Sequence, residues 1–454
     1  MKQSSAYRCS QCAASFPKWA GQCGACNAWN SLEEYFPEVT ISKKTPLSSL
    51  PKKSFSTPEH SSFHDSRIPT NIEELDRVLG NGFFPDSLVL LTGDPGIGKS
   101  TLSLQVALSV SLQMPKKTVL ILTGEESVPQ VSSRLFRLSK NIPPNLKILS
   151  ETVLESALAA MDQEEMGFLV VDSVQTLISL DLTGGSGSLS QTTAVVEQMM
   201  RFAKMRHVPV LLIGHVTKAG EMAGPQTLAH LVDVTLHLEG DRFHELRILR
   251  SGKNRFGSSN EMGVFQMEES GLVEVKNPSE NFLQGRLKDA IGSAIFPSVE
   301  GNRSFLVEVQ ALTKWTNFGY PKRSASGVDV NRLGILLAVL ARHAGVKLDS
   351  EDVFANIVGG IKVAEPALDM ALLAAIISSK SKISLPSTTV FCGEVGLSGE
   401  IRNVSHLEKR LKEAEKLGFT VAVIPKSSPS VKLKNLKTIL VATVGDLKKV
   451  VEGA

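Results

Sequence analysis

The 454-residue chain has few aromatic residues, no long apolar run and little net charge. Phe, Trp and Tyr make up 6% of it, which argues against extensive base stacking on aromatic side chains. Its longest apolar stretches, around residues 333–341 and 371–377, are shorter than the ~18 residues of a membrane span. A net charge of +3 does not by itself indicate nucleic-acid binding. The N-terminal residues lack the apolar segment of a secretory signal, so we expect a cytoplasmic protein with no membrane partner.

The chain has the composition of a globular protein, with 42% hydrophobic and 21% charged residues. At ~150 residues per domain, its length predicts two or three domains. The sequence pattern divides it into four segments: a four-cysteine finger (1–36), a flexible linker rich in Ser, Pro, Thr and Lys (37–66), a domain of alternating strands and helices (67–284) and a second α/β domain (285–454).

The third segment alternates short apolar runs with amphipathic sequence, which is typical of a parallel sheet buried on both faces. The runs are Ser87–Thr92, Thr118–Thr123, Phe168–Asp172 and Val208–Gly214. In the last segment the predicted helices are Val330–His343, Pro366–Ser378 and His406–Leu417. The sequence therefore predicts the α/β fold class.

Four of the five cysteines form two C-x2-C pairs, Cys9 with Cys12 and Cys23 with Cys26. Such pairs present four thiolates, which complete a tetrahedral Zn²⁺ shell. The alternatives are two disulfides or a redox pair, but disulfides fit a reducing compartment poorly and no βαβ pattern adjoins the pairs. We predict a zinc finger that the metal folds. Cys392 lies in an apolar run and is predicted to be inert core.

A phosphate-binding P-loop lies between the strand-like run SLVLLT and the helix-like TLSLQVALSV. The predicted nucleotide-binding residues are Gly93, Asp94, Pro95, Gly96, Ile97, Gly98, Lys99, Ser100 and Thr101. Glycines let main-chain N–H groups turn toward phosphate oxygens, and the following helix N-terminus attracts their charge. Lys99 is expected to reach the β- and γ-phosphates and Ser100 to ligate Mg²⁺. The sequence therefore predicts ATP and Mg²⁺ as cofactors.

Other candidates follow neighbouring strands. Asp172 ends the run FLVVD and is the predicted Mg²⁺ carboxylate, with a helix N-cap as the alternative role. Glu125 is the predicted general base, and the adjacent Glu126 is a rival that the sequence does not separate from it. His215 follows VLLIG and is a candidate γ-phosphate sensor, or else a packing residue.

Five motifs resemble those of one protein family. They are GDPGIGKST, GEES (124–127), LVVDS (169–173), IGHVTKAG (213–220) and KNRFG (253–257). Together with the finger they resemble the bacterial RadA family, also called Sms, of RecA-related DNA repair proteins. The C-terminal segment resembles the proteolytic domain of Lon. The resemblance covers all but the linker and implies a RecA-like core.

The resemblance implies a homo-hexameric, ATP-driven ring on single-stranded and branched DNA that promotes branch migration together with RecA. It places ATP between subunits, with Lys253 and Arg255 of KNRFG reaching a neighbour's γ-phosphate. An isolated P-loop domain leaves transition-state charge under-neutralised, which a cation supplied in trans corrects. The alternatives are a solvated basic turn between the strands LRILRS and MGVFQM, or a DNA contact.

The resemblance also implies that loops lining the ring contact DNA. The matching segments are glycine-rich, Asp181–Gln191 and Lys218–Gln226, and Lys218 is their one cation. Such loops suit backbone tracking of a strand. Ordinary surface loops have the same composition.

The Lon-like segment lacks the Ser and Lys that Lon-type proteolysis needs. In this resemblance Ala367 stands at the nucleophile position and has no hydroxyl, and Glu408 stands where the lysine is expected. A shift by one residue would bring Lys409 to that position but would not restore a serine. We therefore expect a scaffold that helps close the ring, not a peptidase. Its candidate DNA-facing cations are Lys322, Arg323, Lys426, Lys432, Lys434 and Lys437, although such lysines are often only a solvated face.

The leading functional hypothesis is a DNA-dependent ATPase motor of the branch-migration helicase type. The alternative is an ATP-switched adaptor that binds DNA and recombination proteins without translocating. An ATP-regulated peptidase is a third class, and Ala367 argues against it.

Overall fold

The computed structural model describes residues 6–12, 14–16, 19–35, 67–215, 225–240, 246–317 and 320–453. The chain divides into two compact units, residues 1–61 and 62–454. Within the described ranges, no helix is both long and apolar enough to cross a membrane.

The first unit contains a small antiparallel sheet. Its strands are β1 (Ala6–Cys9), β2 (Ser15–Phe16) and β3 (Leu32–Tyr35), in the order β2-β1-β3. Its buried apolar cluster consists of Cys9, Cys23 and Leu32. Such a small core does not stabilise a fold alone, so bound metal must supply the rest.

The second unit begins with a sheet of nine strands in the described residues, in the order β12-β11-β10-β9-β4-β8-β7-β5-β6. The strands are β4 (Leu88–Gly93), β5 (Thr118–Thr123), β6 (Leu146–Ser150), β7 (Met166–Asp172), β8 (Val210–Ile213), β9 (Val234–Glu239), β10 (Leu246–Asn254), β11 (Met262–Glu268) and β12 (Gly271–Glu274). The helices are α1 (Glu73–Leu79), α2 (Lys99–Gln113), α3 (Val128–Leu138), α4 (Leu154–Met161), α5 (Leu189–Arg206), α6 (Pro225–Leu231) and α7 (Pro278–Leu283).

The strands β4 to β9 pair in parallel, as the apolar runs predict. Every residue of β4 and β5 is buried, because helices cover both faces of the sheet. The strands β10, β11 and β12 instead pair antiparallel along one edge. The sheet is therefore mixed, and its antiparallel edge was not predicted from the sequence.

A sheet of seven strands follows, in the order β15-β16-β14-β13-β17-β20-β21, and β18 pairs with β19 separately. The strands are β13 (Ser293–Glu300), β14 (Arg303–Trp315), β15 (Arg323–Ser326), β16 (Glu351–Ile357), β17 (Thr389–Phe391), β18 (Glu394–Val395), β19 (Ile401–Arg402), β20 (Val421–Pro425) and β21 (Lys437–Val441). The helices are α8 (Val330–Ala344), α9 (Asp369–Ser381), α10 (Leu407–Lys416) and α11 (Val444–Glu452). A 3-10 turn, Pro366–Leu368, precedes α9, where the sequence had predicted one continuous helix.

The two large sheets are joined by buried charge. Glu74 of α1 forms an ion pair with Arg303 of β14, and both side chains are buried. Arg303 also donates to the main-chain carbonyls of Val275 and Lys276, each at 3.0 Å. These bonds connect α1 and the end of β12 to the second sheet through groups whose charge and hydrogen bonds are satisfied. The boundary predicted at residues 284/285 stays a prediction.

Candidate nucleotide and zinc sites

The P-loop connects the end of β4 to the start of α2 and can be built only with glycine at two positions. Gly93 has a φ of +150°, and a Cβ there would lie 2.4 Å from the carbonyl oxygen of Leu238. Gly98 has a φ of +118°, and a Cβ there would lie 2.6 Å from Cε of Met267. This backbone presents main-chain N–H groups at the N-terminus of a 15-residue helix, which is the geometry of an anion site.

Lys99 is held over the loop by the loop's own backbone. Its Nζ donates to the main-chain carbonyls of Gly93 at 2.8 Å and Asp94 at 2.9 Å. Burial lowers the pKa of Lys99, and the negative charges of Asp172, Asp94 and Glu125 oppose that shift. The ammonium therefore lies among carboxylates at the predicted phosphate position.

Asp172 ends β7 close to the start of α2. Burial raises the pKa of its carboxyl group, a hydrogen bond with Ser100 lowers it, and the nearby charge of Glu125 raises it further. A serine hydroxyl and a carboxylate are hard oxygen ligands of the kind that Mg²⁺ binds beside nucleotide phosphates. The residues present at this position therefore fit the predicted metal.

Glu125 and Glu126 have different surroundings. Glu125 Oε1 accepts a hydrogen bond from Ser173 Oγ at 2.5 Å and lies 3.3 Å from Nε2 of His215. Glu126 Oε1 is bound instead by Arg134 Nη1 at 2.6 Å. One carboxylate is thus compensated by a full positive charge, whereas the other is oriented by a hydroxyl and an imidazole.

Lys253 lies in strand β10, opposite Thr235 of β9. The alternative of a basic turn therefore does not hold for this residue. Its Nζ donates to the main-chain carbonyls of Ala229 at 2.8 Å and Val232 at 2.7 Å. Burial lowers the pKa of Lys253, and the charge of Arg255 adds to this effect. The sequence indicated a strand that ends with LRILRS, because the last residues of β10, RSGKN, are as polar as a loop.

Arg255 follows the same strand and binds the buried carboxylate of Asp233, with Nη1 3.1 Å from Oδ1. The other oxygen of Asp233 accepts from the main-chain N–H of Leu88 at 3.0 Å. Leu88 is the first residue of β4, whereas the P-loop follows its last. A six-residue strand is roughly 17 Å long. Arg255 and the Lys253 ammonium therefore lie near the N-terminal end of β4, whereas the P-loop of the same chain lies at its C-terminal end.

Three residues that contact the predicted site were missed from the sequence. Ser173 orients Glu125, Arg134 compensates Glu126, and Arg247 of β10 donates from Nε to the main-chain carbonyl of Ile97 at 3.1 Å. Ser173 follows Asp172 directly and was available as a signal. Arg247 is 150 residues from Ile97, and no sequence pattern connects them.

The four N-terminal cysteines converge, with all four Sγ atoms within 4.8 Å of one another. Sγ of Cys9 lies 3.6 Å from Sγ of Cys26, and Sγ of Cys12 lies 3.6 Å from Sγ of Cys23. These distances are too long for a disulfide, so the four thiols are free. Zn–S bonds of about 2.3 Å in a tetrahedron put sulfurs about 3.8 Å apart, which matches these distances. The donor set fits the zinc predicted from the sequence.

Three family models match the chain. An AAA domain matches residues 54–221, a rubredoxin metal binding domain residues 7–34, and subunit ChlI of Mg-chelatase residues 335–428. DNA repair protein RadA of Bacillus subtilis is 44% identical, with 98% of each chain covered. DNA repair protein RadA of Listeria monocytogenes is 43% identical, covering 99% of this chain and 98% of that one.

The chain belongs to the RadA family. The predicted fold class is confirmed, namely α/β with a RecA-like P-loop core, an N-terminal zinc ribbon and a Lon-like C-terminal domain. The cofactors are ATP, Mg²⁺ and Zn²⁺, and the core is an ATPase domain. The crystal structure of the RadB recombinase is also similar, at 22% identity and a TM-score of 0.36, covering 46% of this chain and all of that one.

In this RadA-family chain, a buried ion pair lies beside Ala367, where a Lon-type nucleophile is expected. Ala367 is buried in the 3-10 turn. Two residues earlier, Glu365 pairs with Arg410 of α10, whose side chain is 1% exposed. Arg410 also donates to the main-chain carbonyls of Pro297 at 2.7 Å and Ser405 at 2.9 Å. Near Ala367 in the sequence, this pair is thus bonded within the domain, which suits a scaffold.

The predicted DNA-facing residues are placed only in part. Segment Asp181–Gln191 is described, but residues 218–224 of the second loop lie outside the described residues. Arg323 is used within its own domain, donating to the main-chain carbonyl of Leu348 at 2.8 Å. Four lysines are exposed near β20 and β21, namely Lys426, Lys432, Lys434 and Lys437.

Proposed function

We propose that this protein is a DNA-dependent ATPase that assembles into a hexameric ring and moves along DNA in recombinational repair. The ring promotes branch migration of recombination intermediates together with RecA. The relatives that show the family are named DNA repair protein RadA, which supports the repair role.

One observation carries the ring. Lys253 and Arg255 are bonded near the N-terminal end of β4, whereas the P-loop is at the C-terminal end of that strand. Neither cation is near the P-loop of its own chain. Phosphoryl transfer needs positive charge on the transferring phosphate beyond what one P-loop lysine supplies. Head-to-tail packing of subunits would bring a neighbour's cations to each P-loop, and such packing closes into a ring where the rotation between neighbours divides a full turn.

The residues around the P-loop have separate roles in the proposed hydrolysis. Lys99 binds the phosphates, and Ser100 with Asp172 would hold the Mg²⁺, which neutralises phosphate charge when bound. Glu125 is the favoured general base because, among the described residues, no arginine or lysine bonds its carboxylate as Arg134 bonds that of Glu126, and Ser173 orients it. His215 lies on the other side of the same oxygen, where it can respond to the γ-phosphate.

Segment Asp181–Gln191 is the favoured DNA contact, and its loop, with Leu180 just before it, is referred to as residues 180–190. Its glycines at 184 and 187 have positive φ, and Leu180, Leu182 and Leu189 are exposed. Asp181 is its one charged residue. Contacts from such a loop would be main-chain hydrogen bonds and apolar packing, which are tolerant of sequence.

Steady-state ATP hydrolysis with and without oligo-dT tests the proposal. Wild-type turnover is expected to rise several-fold with DNA, and Lys99→Ala is expected to lose turnover in both conditions. Turnover that ignores DNA would favour the ATP-switched adaptor instead. A branch-migration assay on a three-strand junction then separates a motor, which resolves the junction, from an adaptor, which only binds it.

A further inference from the structure

Gln175 lies between the nucleotide site and the loop at residues 180–190. Its Nε2 donates to the main-chain carbonyl of His215 at 3.4 Å. On its other side, its own main-chain oxygen lies 3.7 Å from the position of a Cβ on Gly187. The side chain of Gln175 therefore bonds the residue that faces Glu125, and its main chain lies next to the loop proposed to contact DNA.

The chain between Ser173 and Ser179 is fastened at both ends. At the nucleotide end, Ser173 Oγ donates to Glu125, and Thr176 Oγ1 donates to the main-chain carbonyl of Ser173 at 2.7 Å. At the loop end, the buried amide of Gln191 accepts from Ser179 N at 2.8 Å and donates to the carbonyl of the same residue at 3.1 Å. A shift of the loop base thus has a continuous path of bonded groups to Glu125.

The segment between Ser173 and Ser179 is tightly packed against the backbone before Glu125. A Cβ on Gly124 would lie 2.3 Å from Thr176 Oγ1, so the backbone just before Glu125 rests directly on the segment. Close-packed groups transmit displacement because they cannot absorb it locally.

The side chain of Gln175 is only half satisfied. Its Oε1 is buried and has no hydrogen-bond partner among the described residues. A buried acceptor without a partner costs free energy, so an arrangement of this segment that offers it a donor is favoured over the present one. The bond on the amide's other atom, at 3.4 Å, is long and therefore weak.

We infer that Gln175 is a positioning residue that couples the DNA-contacting loop to Glu125. DNA on the loop shifts the segment that holds Ser173 and the main chain of His215, which reorients the carboxylate between them. The inference rests on the proposed DNA-dependent ATPase. It assigns the coupling to an amide that no P-loop motif includes.

The test compares ATP turnover with and without oligo-dT in wild type, Gln175→Met and Gln175→Glu. Methionine keeps the length of the side chain and removes the amide, whereas glutamate keeps an oxygen and removes the donor. Gln163→Met, at an exposed glutamine, is the matched control. Oligo-dT affinity is measured in parallel, with and without a non-hydrolysable ATP analogue, because coupling between two ligands is reciprocal.

Both Gln175 variants are expected to lower the ratio of stimulated to basal turnover at least fivefold, with oligo-dT affinity in the absence of nucleotide within twofold of wild type. The ATP analogue is expected to change DNA affinity in wild type and in Gln163→Met, and to change it less in both Gln175 variants. A ratio within twofold of wild type, or one that falls only in step with DNA affinity, would overturn the inference. Absence of stimulation in wild type would instead contradict the proposed function, and the inference with it.

Discussion

The two large sheets of this chain both carry clustered charges, but they use them differently. Around the P-loop, the Glu125 side chain is 41% exposed and is bound by a hydroxyl and an imidazole. In the Lon-like domain, the Arg410 side chain is 1% exposed and bonds Glu365 and two main-chain carbonyls. The Glu125 carboxylate is therefore open to solvent and can meet a ligand, whereas Arg410 is bonded on all sides within the chain and serves the fold.

The comparison predicts that Lys99→Ala removes function without removing the fold. The variant is expected to lose about 1,000-fold in ATP turnover, because a preorganised cation at the phosphate is lost. Turnover is measured with DNA present, and circular dichroism checks that the protein is folded. Wild-type turnover in this variant would place the phosphate elsewhere.

Arg410→Met is predicted to do the opposite. It leaves the Glu365 carboxylate without its counter-charge, which is expected to lower the free energy of unfolding by about 3 kcal/mol. Urea denaturation measures this change, and ATP turnover per folded molecule is expected to stay at the wild-type level. The double variant Glu365→Leu with Arg410→Met is the control, since removing both charges recovers part of the loss. An unchanged unfolding curve for the single variant would show that the pair is not stabilising.

The adjacent carboxylates of Glu125 and Glu126 allow the same comparison, between an open charge and a paired one, within one site. Glu125→Gln is expected to lower kcat about 100-fold, the contribution of a positioned general base. Glu126→Gln breaks an ion pair with Arg134 that is partly exposed, so a change of less than about threefold is expected. Measuring kcat for both variants decides between them, and the reverse order of effects would reassign the base.

Ala367→Ser is expected to have the smallest effect. The hydroxyl would be added two residues from Glu365, which pairs with Arg410, and Glu408 stands where a Lon-type lysine is expected to activate it. Hydrolysis of an unfolded casein substrate is expected to stay at background. Peptidase activity in this variant would show that the Lon-like domain keeps a functional base.

The sequence predicted the parts of the site that depend on local backbone. Residues 93–100 and the cysteine pairs have fixed spacing because a tight loop must surround one phosphate or one metal. Asp172 could be placed because carboxyl ends of parallel strands meet at one sheet edge.

Other parts depend on side-chain direction or on distant residues. The contrast between Glu125 and Glu126 requires knowing that Arg134 and Ser173 approach from different sides. The pair Glu365–Arg410 joins residues 45 apart, and β10 extends through a polar stretch because β9 offers it hydrogen bonds. None of these follows from spacing or periodicity.

The most direct test of the central claim is complementation between two inactive subunits. Lys99→Ala loses the P-loop lysine but keeps Lys253, and Lys253→Ala does the reverse. If Lys253 acts on a neighbour's nucleotide, co-expressed equal mixtures regain up to about a quarter of wild-type DNA-stimulated turnover, since random head-to-tail packing pairs an intact P-loop with an intact Lys253 at that frequency. A mixture no more active than the sum of its two parts would contradict action between subunits.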